Sequence, residues 1–188
     1  MPKLALAALC LLAALAPRPA QAQCVPGNAA WPLLPHEADH AYLPTPHRVV
    51  DAMLRLAEVS RADVVYDLGS GDGRIPIAAA RDFGARGVGL ELDVSLVEAA
   101  RCNAQVAGLE KQVEFRQQDL FAADLREATV VTLFLFPDVN RRLAPVLRAQ
   151  LRPGARIVSH RFGLGDWKPD RTIEADGRAL LLWIVPGR

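Results

Sequence analysis

Three glycines alternate in Asp67-Leu68-Gly69-Ser70-Gly71-Asp72-Gly73-Arg74, directly after the apolar run Val64-Val65-Tyr66. Glycine lets a backbone turn sharply and meet a ligand with no Cβ in the way. The third glycine comes one residue earlier than in the dinucleotide fingerprint. The turn therefore suits an adenosyl group joined to an amino acid better than a pyrophosphate. Gly69, Ser70, Gly71 and Gly73 would form the cradle. Asp67, at the strand end, can accept a hydrogen bond from a ligand ammonium, directly or through water.

Two more acids stand at matching places. Glu91 closes the run Gly87 to Leu92. A carboxylate there can accept from both ribose hydroxyls, as in nucleotide-binding βαβ units. Asp93 competes for that role and is read instead as a helix cap. Asp119 follows Gln118 after the strand Val113 to Arg116, where its carboxylate can accept from an adenine amino group. Any one of these acids could be a loop or capping residue. Three at successive strand C-termini, where open α/β sheets bind ligands, read as one site.

Other patterns carry less. His36-Glu37-Ala38-Asp39-His40 matches the His-Glu-x-x-His zinc pattern, which needs both histidines on one helix face. Pro32, Pro35 and Pro44 leave barely two turns there, and no third ligand follows. No metal site is expected. His47 and His160 read as surface or core groups. Arg141, Arg142, Arg148 and Arg152 read as a solvated helix face. Cys10 lies in the apolar N-terminal run; Cys24 and Cys102 have no disulfide framework around them and read as incidental, a disulfide between them in an oxidising compartment being the alternative.

The elements that must hold this site alternate. Helices are expected over an N-terminal segment capped by Thr45 with Pro46 in its first turn, over Ile75 to Phe83 before Gly84, over Val94 to Ala107, and over Val139 to Leu151 with a kink at Pro145. Strands are expected at Asp63 to Leu68, Gly87 to Leu92, Val113 to Arg116, Thr129 to Phe136 and Arg156 to Ser159. A final pair, Arg171 to Glu174 and Ala179 to Val185, is split by the Asp176-Gly177 turn signal. Alternation of this kind implies an α/β fold. We expect a Rossmann-like, doubly wound, seven-stranded sheet, mostly parallel, closed by an antiparallel C-terminal hairpin strand.

The chain has 188 residues, 51% hydrophobic and 23% charged, with a formal net charge of +1. That length suits one domain, and the charge supplies no general field for gathering nucleic acid. Residues 1–22 have the form of a secretory signal peptide: Lys3, the apolar run Leu4 to Ala16, and the small-x-small motif Ala20-Gln21-Ala22. The apolar run is short for a membrane span. Export is expected, the alternative being a cytoplasmic chain or one anchored through residues 4–16. Residues 23–45 read as an irregular proline-rich lead-in, and 46–188 as the catalytic domain, with no membrane span in the mature chain and a monomer favoured.

Asp67 to Ile75, Gly87-Val88-Gly89-Leu90-Glu91-Leu92-Asp93 and Thr132-Leu133-Phe134-Leu135-Phe136-Pro137 resemble the seven-strand protein-lysine methyltransferases. That group includes the mitochondrial enzymes for the ATP synthase c-subunit and the adenine nucleotide translocase, and archaeal relatives. Tyr42-Leu43-Pro44-Thr45-Pro46 is similar to the segment before the fold that helps shape their acceptor channel. The resemblance implies S-adenosyl-L-methionine as cofactor and a protein lysine as acceptor. It makes Tyr42, Thr45, Phe134 and Pro137 the acceptor-side candidates, with Tyr42 orienting the amine. Amino-methylating enzymes of nucleic acids often carry Asn/Asp-Pro-Pro-Tyr after the fourth strand. This chain has Leu133 to Pro137 instead, an apolar and aromatic wall suited to a lysine stem, so no nucleic-acid substrate is expected. By alternation Phe134 and Phe136 share a face, and one of them is expected in the core.

Transfer would be a direct displacement by the neutral amine. Desolvation and a nearby positive charge both favour loss of the lysine proton. Two alternatives stay open: a small-molecule or nucleic-acid methyltransferase on the same fold, and an exported, non-catalytic binding domain.

Overall fold

The structure is a computed structural model, and it describes residues 43–187. The expected signal peptide, the His-Glu-x-x-His pattern and Tyr42 lie outside the described residues.

Seven strands form one sheet in the order β3-β2-β1-β4-β5-β7-β6. They are β1 (Val64–Leu68), β2 (Arg86–Glu91), β3 (Val113–Gln117), β4 (Val130–Leu133), β5 (Arg156–His160), β6 (Arg171–Ala175) and β7 (Arg178–Ile184). The first five run parallel, and β7 pairs antiparallel with both β5 and β6. The helices between them are α1 (His47–Leu56), α2 (Arg74–Phe83), α3 (Val94–Val106) and α4 (Pro137–Gln150). This is the expected doubly wound sheet with its antiparallel edge.

Period-two alternation divides the core between the two faces of the sheet. Val65, Val130, Val158 and Leu182 pack with Val49, Met53 and Ala79 of α1 and α2. Tyr66, Val131, Leu133, Ile157 and Trp183 pack with Leu143 and Leu147 of α4. Ala100 and Ala104 of α3 meet Ile77 and Ala80 of α2 and Phe115 of β3. With both faces covered, the central strands are near-continuous apolar runs, as buried parallel strands are.

Three expectations are corrected. Thr45 does not cap α1: Pro46 is the cap residue and makes no side-chain hydrogen bond, while its carbonyl accepts from Val49 and Val50. The strand expected to reach Phe136 stops at Leu133, where pairing with β5 ends at Ser159. Phe136 takes the extended conformation required of a residue before proline, and Pro137 opens α4, where its missing N–H costs nothing. Pro145 lies inside α4, which runs from Pro137 to Gln150 as one assigned helix. Cys102, in α3, is disulfide-bonded rather than incidental.

Candidate active site

Strand order reverses between β1 and β4, and ligands of open α/β sheets bind at the strand C-termini of such a switch point. Asp67 and Thr132 are register partners across it. The Thr132 hydroxyl donates to Asp67 Oδ1 at 2.7 Å, and both residues are buried. Burial raises the Asp67 carboxyl to about 7; the negative charges of Glu91 and Asp72 push the same way, and the Thr132 hydrogen bond pulls back.

The glycine turn leaves β1 beside this pair. The Gly69 and Ser70 N–H groups donate to the Leu90 carbonyl at 2.8 and 3.0 Å. Gly69 has φ 79°, and a Cβ there would stand 2.8 Å from Leu135 Cδ2. Gly73 has the same φ, and its Cβ would stand 2.5 Å from Phe115 Cζ. Only glycine fits both the backbone and the packing at these positions.

Glu91 is tied into the turn. Its Oε2 accepts from Gly71 N–H at 3.0 Å, and its Oε1 accepts from Leu92 and Asp93 N–H at 2.7 and 3.0 Å. A carboxylate has about four acceptor sites. One direct position is therefore left for a ribose hydroxyl in this arrangement, rather than the two expected. Asp93 caps α3 through Ser95 and Leu96 N–H, as read from sequence. Gln118 N–H donates to the Glu91 carbonyl at 2.9 Å, so the ends of β2 and β3 stay together. Asp119 follows, exposed, and spends Oδ1 on the Phe121 N–H at 2.9 Å. It doubles as the cap of a short 3-10 turn.

The acceptor-side residues assemble around β4 and β5. Phe134 is half-buried, with its ring centroid 4.0 Å from that of His160 and 6.4 Å from that of Phe162. Thr45 is buried, with Oγ1 3.3 Å from His160 Nδ1. Arg74 donates to the Thr45 carbonyl at 2.9 Å and forks onto Asp72 at 2.9 and 2.6 Å, so the lead-in is fastened to the glycine turn. Phe136 and Pro137 are exposed. Neither phenylalanine enters the core, because β4 has ended and its alternation no longer applies.

Sequence reasoning passed over three residues here. Thr132 and Arg74 stood inside the quoted segments, next to the residues singled out. His160 was set aside because nothing local marked it. Its position at the end of a parallel strand was the usable signal.

A family model described as the ANTKMT methyltransferase domain matches residues 67–171, from Asp67 at the end of β1 through β5, and so holds the described site apart from Thr45. The chain belongs to this methyltransferase family. It is 43% identical over 136 residues to a protein-lysine N-methyltransferase of Saccharolobus islandicus, covering 72% of this chain and 84% of that one. It is 41% identical over 129 residues to the mouse adenine nucleotide translocase lysine N-methyltransferase, covering 68% of this chain and 56% of that one. Among solved structures, the RNA methyltransferase of Salinibacter ruber in complex with S-adenosyl-L-homocysteine superposes with a TM-score of 0.76 at 57% identity, covering 78% of this chain and 95% of that one.

The methyltransferase uses S-adenosyl-L-methionine, and the site fits that cofactor on its own evidence. The buried Asp67 carboxyl, crowded by Glu91 and Asp72, calls for a cationic ligand. The Ser70 hydroxyl is buried without a hydrogen-bond partner among the described residues. Asp67, the glycine turn with Ser70, Glu91, Gln118 and Asp119 would hold the cofactor. When bound, it supplies a methyl group activated on a sulfonium. Among the described residues no group of three His, Cys, Asp or Glu could hold a metal ion.

Proposed function

We propose that this methyltransferase modifies lysine side chains of proteins. The observation that carries the reading is the half-buried Phe134 ring at the end of β4, set between His160 and Phe162. It offers a flat apolar wall to an aliphatic stem. The segment Phe134 to Pro137 supplies no carboxylate or amide to hold a base edge. The similarity to an archaeal enzyme named for protein-lysine methylation supports the same acceptor.

This chain's residues then have separate tasks. Thr45 and Phe134 shape the channel, and the wall strips water from the amine. Loss of that water favours the neutral, nucleophilic form. Orientation does much of the rest, worth up to ~7–11 kcal/mol in well-aligned intramolecular cases. We infer no dedicated base.

The Salinibacter relative favours a second reading, with RNA as acceptor. Purified protein with methyl-labelled cofactor, offered protein and RNA fractions of a lysate separately, distinguishes the two. Label in methyllysine of the protein fraction is expected. Label confined to RNA would overturn the lysine reading.

We also infer export. The signal-like segment motivates this, and a disulfide at Cys102 supports it, since disulfides persist in oxidising compartments. No helix among the described residues is long and apolar enough to cross a membrane.

A further inference from the structure

Just past β5 the backbone takes a left-handed step at Arg161, with φ 72°. A residue with a side chain holds that conformation only where its surroundings over-determine it. They do so here. Phe162 N–H donates to the His160 carbonyl at 3.0 Å. The Ser159 hydroxyl donates to the Phe162 carbonyl at 2.6 Å, and Asn140 Nδ2 to the same carbonyl at 3.3 Å.

What this turn fixes is the end of β5, and with it His160. The residue is 1% exposed. Its ring lies against Phe134 with the two planes tilted by 32°, and its Nδ1 faces the Thr45 hydroxyl. Its Nε2 is buried and has no hydrogen-bond partner among the described residues. Buried ring nitrogens are costly to leave unmatched. A side chain that merely filled this space beside Phe134 could be an aromatic hydrocarbon.

We propose that His160 Nε2 is the hydrogen-bond acceptor for the substrate amine, holding its nitrogen against Phe134 with the lone pair free to react. The proposal rests on the lysine reading above and adds a positioning residue to it. It requires the tautomer with the proton on Nδ1, donated to Thr45 Oγ1, which leaves the Nε2 lone pair available. The charged groups near the ring are Arg178 on β7 and Arg161. Burial, then Arg178 and Arg161, lower the imidazole to about 4. The ring is therefore neutral around pH 7, and it accepts a hydrogen bond without taking a proton.

Two measurements on the full chain test this. The first is nitrogen NMR of the histidine-labelled protein saturated with S-adenosyl-L-homocysteine, with His160 assigned by comparison with His160→Asn. We expect an Nδ1-protonated ring whose Nε2 resonance moves on adding n-butylamine. It should not move with butyltrimethylammonium, which has no N–H to donate. An Nε2-protonated ring, or no response to the amine, overturns the proposal.

The second is kinetic. Asparagine can keep a polar group where Nδ1 meets Thr45, and glutamine can place one near Nε2. His160→Asn should lower kcat roughly ten- to a hundredfold, the scale of a misplaced reactant, with S-adenosyl-L-homocysteine affinity unchanged. His160→Gln should recover part of that loss. A purely structural role predicts the reverse order, and native kcat in the asparagine variant would also overturn the proposal. If the native protein labels no lysine, the lysine reading itself fails, and the butylamine response alone then decides whether His160 receives an amine.

Discussion

Asp67→Asn separates what the site costs the fold from what it gives the ligand. Asp67 is 3% exposed, and its carboxyl is raised from the ordinary 3.8 to about 7, chiefly by burial. Between those values the folded protein binds a proton that the unfolded chain has already lost, so stability falls as pH rises. The stability is fully present below about pH 4 and is lost by the time pH has passed about 7. At ~1.4 kcal/mol per pH unit the ceiling of the loss is ~4 kcal/mol. Asparagine removes the titration and keeps a carbonyl oxygen to accept from Thr132 Oγ1. The variant should therefore be more stable than the native protein at high pH. Its advantage should widen by ~2–3 kcal/mol between pH 5 and pH 8.5 in urea unfolding followed by circular dichroism. The same change removes the ligand's counter-charge. A hydrogen bond to a charged group is worth ~1.5–3 kcal/mol, so cofactor affinity should fall roughly 10- to 100-fold by calorimetry. An advantage that does not vary with pH, or a variant less stable at pH 8.5, would refute the reasoning.

Thr132→Val removes the side-chain hydrogen bond that lowers the Asp67 carboxyl. Affinity for S-adenosyl-L-homocysteine, measured across pH 5.5 to 9, should then rise with pH through a midpoint higher than the native one. Gly73→Ala places a methyl 2.5 Å from Phe115 Cζ at φ 79°. Left-handed strain of ~1–2 kcal/mol and overpacking of ~1–3 kcal/mol should together lower unfolding free energy by ~2–5 kcal/mol. A loss under about 1 kcal/mol would show that the turn relaxes freely. Fractionating cells that express a tagged chain with and without residues 1–22 should find only the full-length form outside the cytoplasm.

Which features were legible in the sequence depends on how local their causes are. The strands and helices of the sheet follow from apolar periodicity and from glycines such as Gly84, which ends α2 at φ 69°. Boundaries fell within a few residues for the same reason. The places of Glu91 and Asp67 at the ends of β2 and β1 were legible because a strand terminus fixes where a side chain stands. The end of β4 was not, because pairing with Ser159 rather than the apolar run to Phe136 decides it. Thr45 looked like a cap because it precedes a proline-led helix. Its hydroxyl lies instead beside His160, 115 residues away in sequence, and no local pattern carries that contact. His160 had the end of β5 as its signal, but its pairing with Thr45 was illegible on the same ground.

The acids of the site differ in what compensates each of them, and this favours Asp67 over its neighbours as the partner proposed for a cationic ligand. Asp72 is forked by Arg74. Glu91 accepts three backbone N–H groups. Asp67 is buried deeper than either and has the Thr132 hydroxyl as its hydrogen-bond donor among the described residues. It is therefore the carboxylate with most to gain from a positive charge. Arg74 also reaches the Thr45 carbonyl, and Thr45 faces His160. The glycine turn proposed to hold the methyl donor is thus joined through two contacts to the wall proposed to receive the acceptor. Displacement of one substituent by another demands that both be held in a single geometry, and a shared Arg74–Thr45–His160 connection ties their positions together.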